Sequence, residues 1–207
     1  MAETSDSELL DQWREGNERA GNELFERHFP SVFRFFENKL DHGVEDLVQD
    51  VFLACSRGRD RFRKDASFRT YLFKIARNKL YDHFRARYRD VIDFTERSAV
   101  DLGTSPSRAA GRKQEQQLLL RALRAVPVDY QIALELYYWE GLRGPELAEV
   151  LDINPNTVRS RLHRARKALE ATIAKCAAAP ETIEATITNL DQWAESVRTV
   201  VQSESKP

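Results

Sequence analysis

Apolar residues recur at three- and four-residue steps along nearly all of this chain, and almost nothing punctuates a β-hairpin. There is no Asn-Gly or Asp-Gly pair and no long alternating run. That pattern points to an all-α protein. A short helix is expected around 6–15, ending at Gly16. A longer one over 20–40 carries Leu24, Phe25, Phe29, Val32, Phe33, Phe36 and Leu40, with Pro30 expected to kink or break it. Gly43 restarts the chain, and 44–57 lines up Val44, Leu47, Val48, Val51 and Phe52. Gly58 to Ser67 reads as a loop, with Ser67 placed to cap a helix over 68–89.

Periodicity then fades. Residues 90–113 are mixed in charge, include Gly-Thr-Ser-Pro-Ser, and read as a flexible linker. Beyond it, 114–126 and 129–140 form a helix pair broken at Pro127, and 144–151 and 155–175 form a second pair. The stretch 180–202 is amphipathic: Ile183, Ile187, Leu190, Ala194, Val197 and Val201 step by four and three. The expected architecture is two small helical domains, 1–91 and 114–175, joined by the linker 92–113, with a C-terminal amphipathic helix in the extension 176–207. At 207 residues and 42% hydrophobic content the chain can build such cores.

Charge is distributed unevenly behind a net value of −1. Residues 1–56 hold 5 basic and 13 acidic side chains, 57–89 hold 12 and 3, and 90–156 hold 7 and 11. Residues 157–175 hold 6 and 1, and 176–207 hold 2 and 5. Two basic islands in an otherwise acidic chain imply two places that meet a polyanion.

The second island lies in Gly-Pro-Glu-Leu-Ala-Glu-Val-Leu-Asp-Ile-Asn-Pro-Asn-Thr-Val-Arg-Ser-Arg-Leu-His-Arg-Ala-Arg-Lys-Ala-Leu-Glu, which has helix-turn-helix grammar. A short helix leads to a tight turn at 152–154, and Pro155 suits a first helical position. Val158, Leu162, Ala165 and Leu169 cluster within about 60° at 100° per residue and form the buried side. Asn156, Ser160, His163, Arg164 and Lys167 then face outward, with Arg159 on the flank. Arginine suits guanine edges, and the start of such a helix enters the major groove. Thr157 at the helix N-terminus, with Arg161 and Arg166 on the shoulders, suits phosphates.

The first island carries Thr70, Lys74, Arg77, Tyr81 and Arg85 on the helix face opposite Leu72, with Asn78 at its edge. Seven of the chain's 20 aromatic residues fall between Phe62 and Tyr88, a density that suits stacking on single-stranded DNA. The preceding loop, Arg-Phe-Arg-Lys-Asp-Ala-Ser, could wall a pocket for an extruded base. Upstream, Glu45, Asp46, Gln49 and Asp50 form an acidic patch at helical spacing. No Glu-x-x-His partner accompanies it, so a protein-docking surface or a solvated face is expected there rather than a metal or catalytic site.

Together these motifs resemble the sigma-70 family of bacterial RNA polymerase sigma factors, of the small extracytoplasmic-function (ECF) type. Asp-Leu-Val-Gln-Asp-Val-Phe looks like the family's polymerase-binding region and the helix from Phe68 like its −10 recognition and melting region. The 146–170 motif looks like its −35 reader. The resemblance implies a sigma region 2-like domain and a region 4-like domain. It also implies that Asp46, Gln49 and Asp50 face core RNA polymerase. Phe62, Arg63, Lys64, Asp65, Ala66 and Asn78 would line the −10 base pocket, and Arg159, Ser160, His163 and Arg164 would read the −35 element. The implied partners are core RNA polymerase, promoter DNA as duplex and as single-stranded non-template strand, and an anti-sigma factor. The 176–207 extension and the Arg-Gly-Pro start at 143–145 depart from the family pattern.

Two rival readings are a helix-turn-helix activator with an unrelated input domain, and an all-helical enzyme built on Glu45, Asp46 and Asp50. The first leaves the Phe62–Tyr88 island without a role. Cys55 and Cys176 with four histidines make no disulfide framework or zinc-ligand spacing, so no metal or cofactor is expected. With no long apolar run and no secretory leader pattern, a cytoplasmic chain without membrane insertion is expected.

Overall fold

The computed structural model describes residues 4–62, 66–88, 92–103 and 114–176. It contains α1 (Asp6–Arg14), α2 (Glu18–Glu37), α3 (Val44–Gly58), a short 3-10 turn (Arg59–Arg61) and α4 (Phe68–Arg87). After the connection come α5 (Gln114–Ala125), α6 (Val128–Tyr138), α7 (Gly144–Leu151) and α8 (Pro155–Cys176). Among the described residues there is no strand, only an isolated antiparallel bridge between Ser98 and Pro127. The expected helix over 180–202 lies outside the described residues.

Local chemistry sets the helix starts. Ser5 and Glu8 close a reciprocal capping box on α1, and Asn17 caps α2. Gly43 sits at φ 74°, a conformation that favours glycine, directly before α3. Ser67 Oγ accepts from the Thr70 amide at 3.2 Å, so the expected cap of α4 is present. Pro30 does not break α2, which runs continuously to Glu37. The proline forfeits one backbone hydrogen bond, and burial of Leu24, Val32, Phe35 and Phe36 along the same helix outweighs that loss.

α1–α4 form an N-terminal bundle around Phe36, Val51, Leu72, Phe73, Leu80 and Phe84, with Cys55 buried among them. α1 packs on α2 at Gly21, where any Cβ would fall 2.6 Å from Trp13 Nε1. Trp13 is 2% exposed and cannot swing away. Gly21→Ala is therefore expected to destabilise the bundle by about 1–3 kcal/mol, despite alanine's better helix propensity. A thermal melt checks this; an unchanged or raised Tm would show that the ring relocates freely.

α5–α8 form the C-terminal bundle. Part of it, with Leu119, Leu123, Trp139, Ala165 and Leu169, is a core of its own. The rest, including Ile132, Leu136, Leu147 and Val158, is continuous with the N-terminal core. The two bundles are thus packed on each other, with α4 against α7. Residues 92–103, read from sequence as linker, are folded into this contact. The amides of Val128, Asp129 and Val100 donate to Arg97 O, Phe94 O and Arg124 O at 2.9, 3.0 and 3.1 Å, and Ala99 and Leu102 are buried. Weak periodicity hid this order because it comes from capture by both bundles.

Candidate nucleic-acid interface

The turn between α7 and α8 is closed by Asp152, in the left-handed region at φ 56° and ψ 47°, its amide bonded back to Ala148 O and Glu149 O. Asn154 Oδ1 then accepts from the Asn156 amide at 2.9 Å and starts α8. Val158, Ala165 and Leu169 are buried, as the periodicity requires. The opposite side presents Asn156, Arg159, Ser160, His163, Arg164 and Lys167 to solvent, with Thr157 half-buried at the helix start. The structure thus brings all seven residues expected on this face together on one helix. Ser160 Oγ donates to Thr157 O at 2.9 Å, and Arg164 Nε lies 3.3 Å from Ser160 O. Arg161 differs from expectation: it is half-buried and donates to Asp129 at 3.0 Å, while Arg166 donates to the Tyr138 hydroxyl.

The α4 face is arranged differently. Asn78 and Arg85 are exposed, and Arg77 lies over the Tyr81 ring at 4.5 Å. Thr70 and Tyr81, expected to face outward, are 0% and 5% exposed. Helical arithmetic put them opposite Leu72 correctly; what covers them is the C-terminal bundle, which no local pattern announces. Burial and the Asp129 carboxylate push the Tyr81 phenol well above its ordinary range. Lys74 reaches Glu149 at 3.2 Å. Phe62 is half-buried against Tyr71, 4.7 Å between ring centroids, and its carbonyl accepts from Arg14. Ala66 is half-buried; Arg63, Lys64 and Asp65 lie outside the described residues.

On α3, Asp46, Gln49 and Asp50 are exposed, and Asp50 accepts from Lys79 at 3.1 Å. Beside them runs an apolar groove of about 490 Å³ between α2 and α3, lined by Phe25, Phe29, Val48, Phe52 and Leu53 and rimmed by Glu26, Glu45 and Gln49. Phe29 and Leu53 are 49% and 44% exposed. Phe29 belongs to the apolar repeat of α2 yet stands half in solvent. The signal that finds it is width: Phe25, Phe29 and Phe33 extend the apolar arc of α2 well beyond what one core-facing stripe needs.

A second set of polar contacts joins the bundles. Lys39, fully buried, is ion-paired with Glu135 and donates to Phe35 O at 2.8 Å. Arg124 Nε and Nη2 donate to Asn38 O and Glu37 O, each at 2.8 Å, and so cap the C-terminus of α2 from the other bundle. Glu140 accepts from Arg34 and Arg69 at 3.2 and 2.8 Å. Burial alone would raise its carboxyl pKa, but the two arginines outweigh that and hold it below the usual range.

Comparison with known proteins finds two matching family regions. Residues 24–90 match the model of sigma-70 region 2, and residues 116–169 match that of sigma-70 region 4. The chain is 29% identical over 177 residues to the ECF RNA polymerase sigma-E factor of Escherichia coli (strain K12), covering 80% of this chain and 93% of the relative. It is 28% identical over 184 residues to the RNA polymerase sigma-H factor of Pseudomonas aeruginosa, covering 82% and 94%. The solved structure of CnrH in complex with the cytosolic domain of CnrY superposes with a TM-score of 0.60 and 27% identity over 81% of this chain and 96% of that one. The sigma factor RpoE bound to the anti-sigma factor NepR from Bartonella quintana shares the fold, with a TM-score of 0.54 and 23% identity over 70% and 91%. An all-helical pair of bundles with a helix-turn-helix at the C-terminal end defines a two-part nucleic-acid-binding protein. The chain belongs to the sigma-70 family of RNA polymerase sigma factors, of the ECF type, and so is a transcription initiation factor.

Proposed function

We propose that the chain binds core RNA polymerase and directs it to promoters through two contacts, the α8 face on the −35 element and the α4 face on the unpaired −10 strand. The observation that carries this is the order of the parts. A cationic, solvent-facing recognition helix follows a cationic, aromatic-rich helix, each inside the matching sigma-70 region. The working division is 1–91 for polymerase and −10 binding, 92–113 as connection, 114–175 for −35 binding and 176–207 as an extension. Asp46, Gln49 and Asp50, with the neighbouring groove, would dock on core polymerase. Phe62 to Ala66 with Lys74, Arg77, Asn78, Tyr81 and Arg85 would take the melted strand.

Binding energy can offset the cost of opening the duplex. Each base step costs about 1.4 kcal/mol of stacking, and each captured base returns about 1–3 kcal/mol. The chain itself then needs no covalent chemistry; it is not an enzyme. It works in the cytoplasm beside the polymerase, and an anti-sigma factor, as seen with the RpoE relative, is a further partner. Among the described residues no helix is long and apolar enough to cross a membrane, and no cluster of His, Cys, Asp and Glu is placed to hold a metal ion.

Run-off transcription on a pool of genomic DNA with core polymerase tests the reading. The chain alone should give core enzyme start-site selectivity; an activator would not. In the same assay Arg164→Ala is expected to weaken upstream recognition by about 1–3 kcal/mol and relax base preference there. Preserved preference would reject the register of α8.

A further inference from the structure

One side chain on α1 reaches across 45 and 48 residues of sequence to hold the turn that follows α3. Arg14 Nε and Nη2 donate to Arg59 O at 2.9 and 2.7 Å, and Nη2 also donates to Phe62 O. The helical run ends at Phe62, where φ −65° and ψ 112° take the backbone into extended conformation. Carbonyls at such an end take donors from outside the helix, and the planar guanidinium serves both at once. The same turn is seated on α4. The Phe62 ring lies 4.7 Å from the Tyr71 ring, and a Cβ at Gly58 would collide with the Tyr71 hydroxyl. α1 is anchored independently of Arg14. Leu9, Leu10 and Trp13 are buried, and Asp6 accepts from Arg27 at 2.8 Å and pairs with His28 at 2.6 Å.

We infer that Arg14 is a positioning residue for capture of the unpaired −10 strand. Through the Arg59 and Phe62 carbonyls it fixes where the Phe62 ring stands for an extruded base. This rests on the reading of Phe62 as part of the base pocket. Arg14 acts through Phe62, since its donors are already committed to two carbonyls of the chain itself. A site that discriminates between bases needs its groups held to within about 0.5 Å, by packing and by hydrogen bonds from behind. Removing that support costs selectivity, while the apolar anchors of α1 keep the bundle folded.

The test uses the full chain with core polymerase on the strongest promoter from the run-off pool. It adds versions of that promoter with each base changed in turn within the segment that permanganate shows unpaired. Arg14→Gln should lower discrimination among those bases about tenfold, within the range that one captured base supplies. Upstream preference, read by α8, should not change. Arg14→Lys keeps the charge but not the fork and should behave like Arg14→Gln; it carries the same reading if the glutamine variant does not fold. Full activity and discrimination in Arg14→Lys would mean that only the charge matters and would overturn the inference. Phe62→Ala should relax the same bases. The double variant Arg14→Gln/Phe62→Ala should be no worse than Phe62→Ala, because the two residues act in one chain of contacts. Additive losses would overturn the inference as well. Phe36→Leu loosens the same core from the C-terminal end of α2 and should lower Tm while keeping discrimination. Equal relaxation in that control would mean that any softening of the bundle suffices, and the positioning role falls. If Phe62→Ala matters and Arg14→Gln does not, the pocket stands and the role of Arg14 is rejected. If Phe62→Ala leaves discrimination intact, Phe62 is not in the pocket, and that part of the proposed function falls together with the inference.

Discussion

Glu135→Gln is expected to weaken the packing of the two bundles by about 3–5 kcal/mol, because it leaves the Lys39 ammonium buried at 0% exposure without its carboxylate. The amide can still accept one hydrogen bond, and Phe35 O remains, but neither carries the charge that balances Lys39. The double substitution Lys39→Met/Glu135→Leu removes both charges and both desolvation costs. It should return to the parent's stability or exceed it by about 1–4 kcal/mol. Urea unfolding followed by circular dichroism, with the radius of gyration measured alongside, distinguishes the cases. A single variant as stable and compact as the parent would mean that water or another side chain reaches Lys39. A double variant no better than the single would mean that the loss comes from misfitted packing.

The second large effect concerns the groove between α2 and α3. Leu53 is 44% exposed beside Asp50 and Gln49, on the rim of the groove and open to solvent. Leu53→Glu should therefore leave the folding free energy within about 0.5 kcal/mol. Centrally placed apolar anchors in protein interfaces cost about 2–4 kcal/mol on removal, so affinity for core polymerase should fall about 30-fold or more. Duplex binding through α8 should be untouched. Normal polymerase affinity in this variant would place the docking surface elsewhere on the bundle.

The sequence was most informative where order is local. Apolar spacing located the eight α-helices of the described residues to within a few positions, and the Ser67 cap, the turn at Asp152 and the outward face of α8 follow from neighbours within four positions. What it did not disclose depends on pairs far apart in the chain. Tyr81 and Thr70 sit on the expected side of α4 yet are buried, because Asp129 and Glu146 arrive from 48 and 76 residues away. Arg161 carries the same charge as Arg164 but turns inward to Asp129, a choice set by one carboxylate on α6. Phe29 shows the converse: an aromatic residue within the apolar repeat is half in solvent, since α2 has more apolar surface than its own bundle can cover.

The three backbone hydrogen bonds that hold residues 92–103 to α5 and α6 also act as a length stop. While they are intact, the chain between the bundles is limited to the steps from Tyr88 to Ile92, about 13 Å at full extension. Once they let go, everything from Tyr88 to Gln114 pays out, about 86 Å. That is more than two helical turns of duplex at about 34 Å each. The distance over which the two bundles can part is thus set by whether Phe94, Arg97 and Val100 stay tied down.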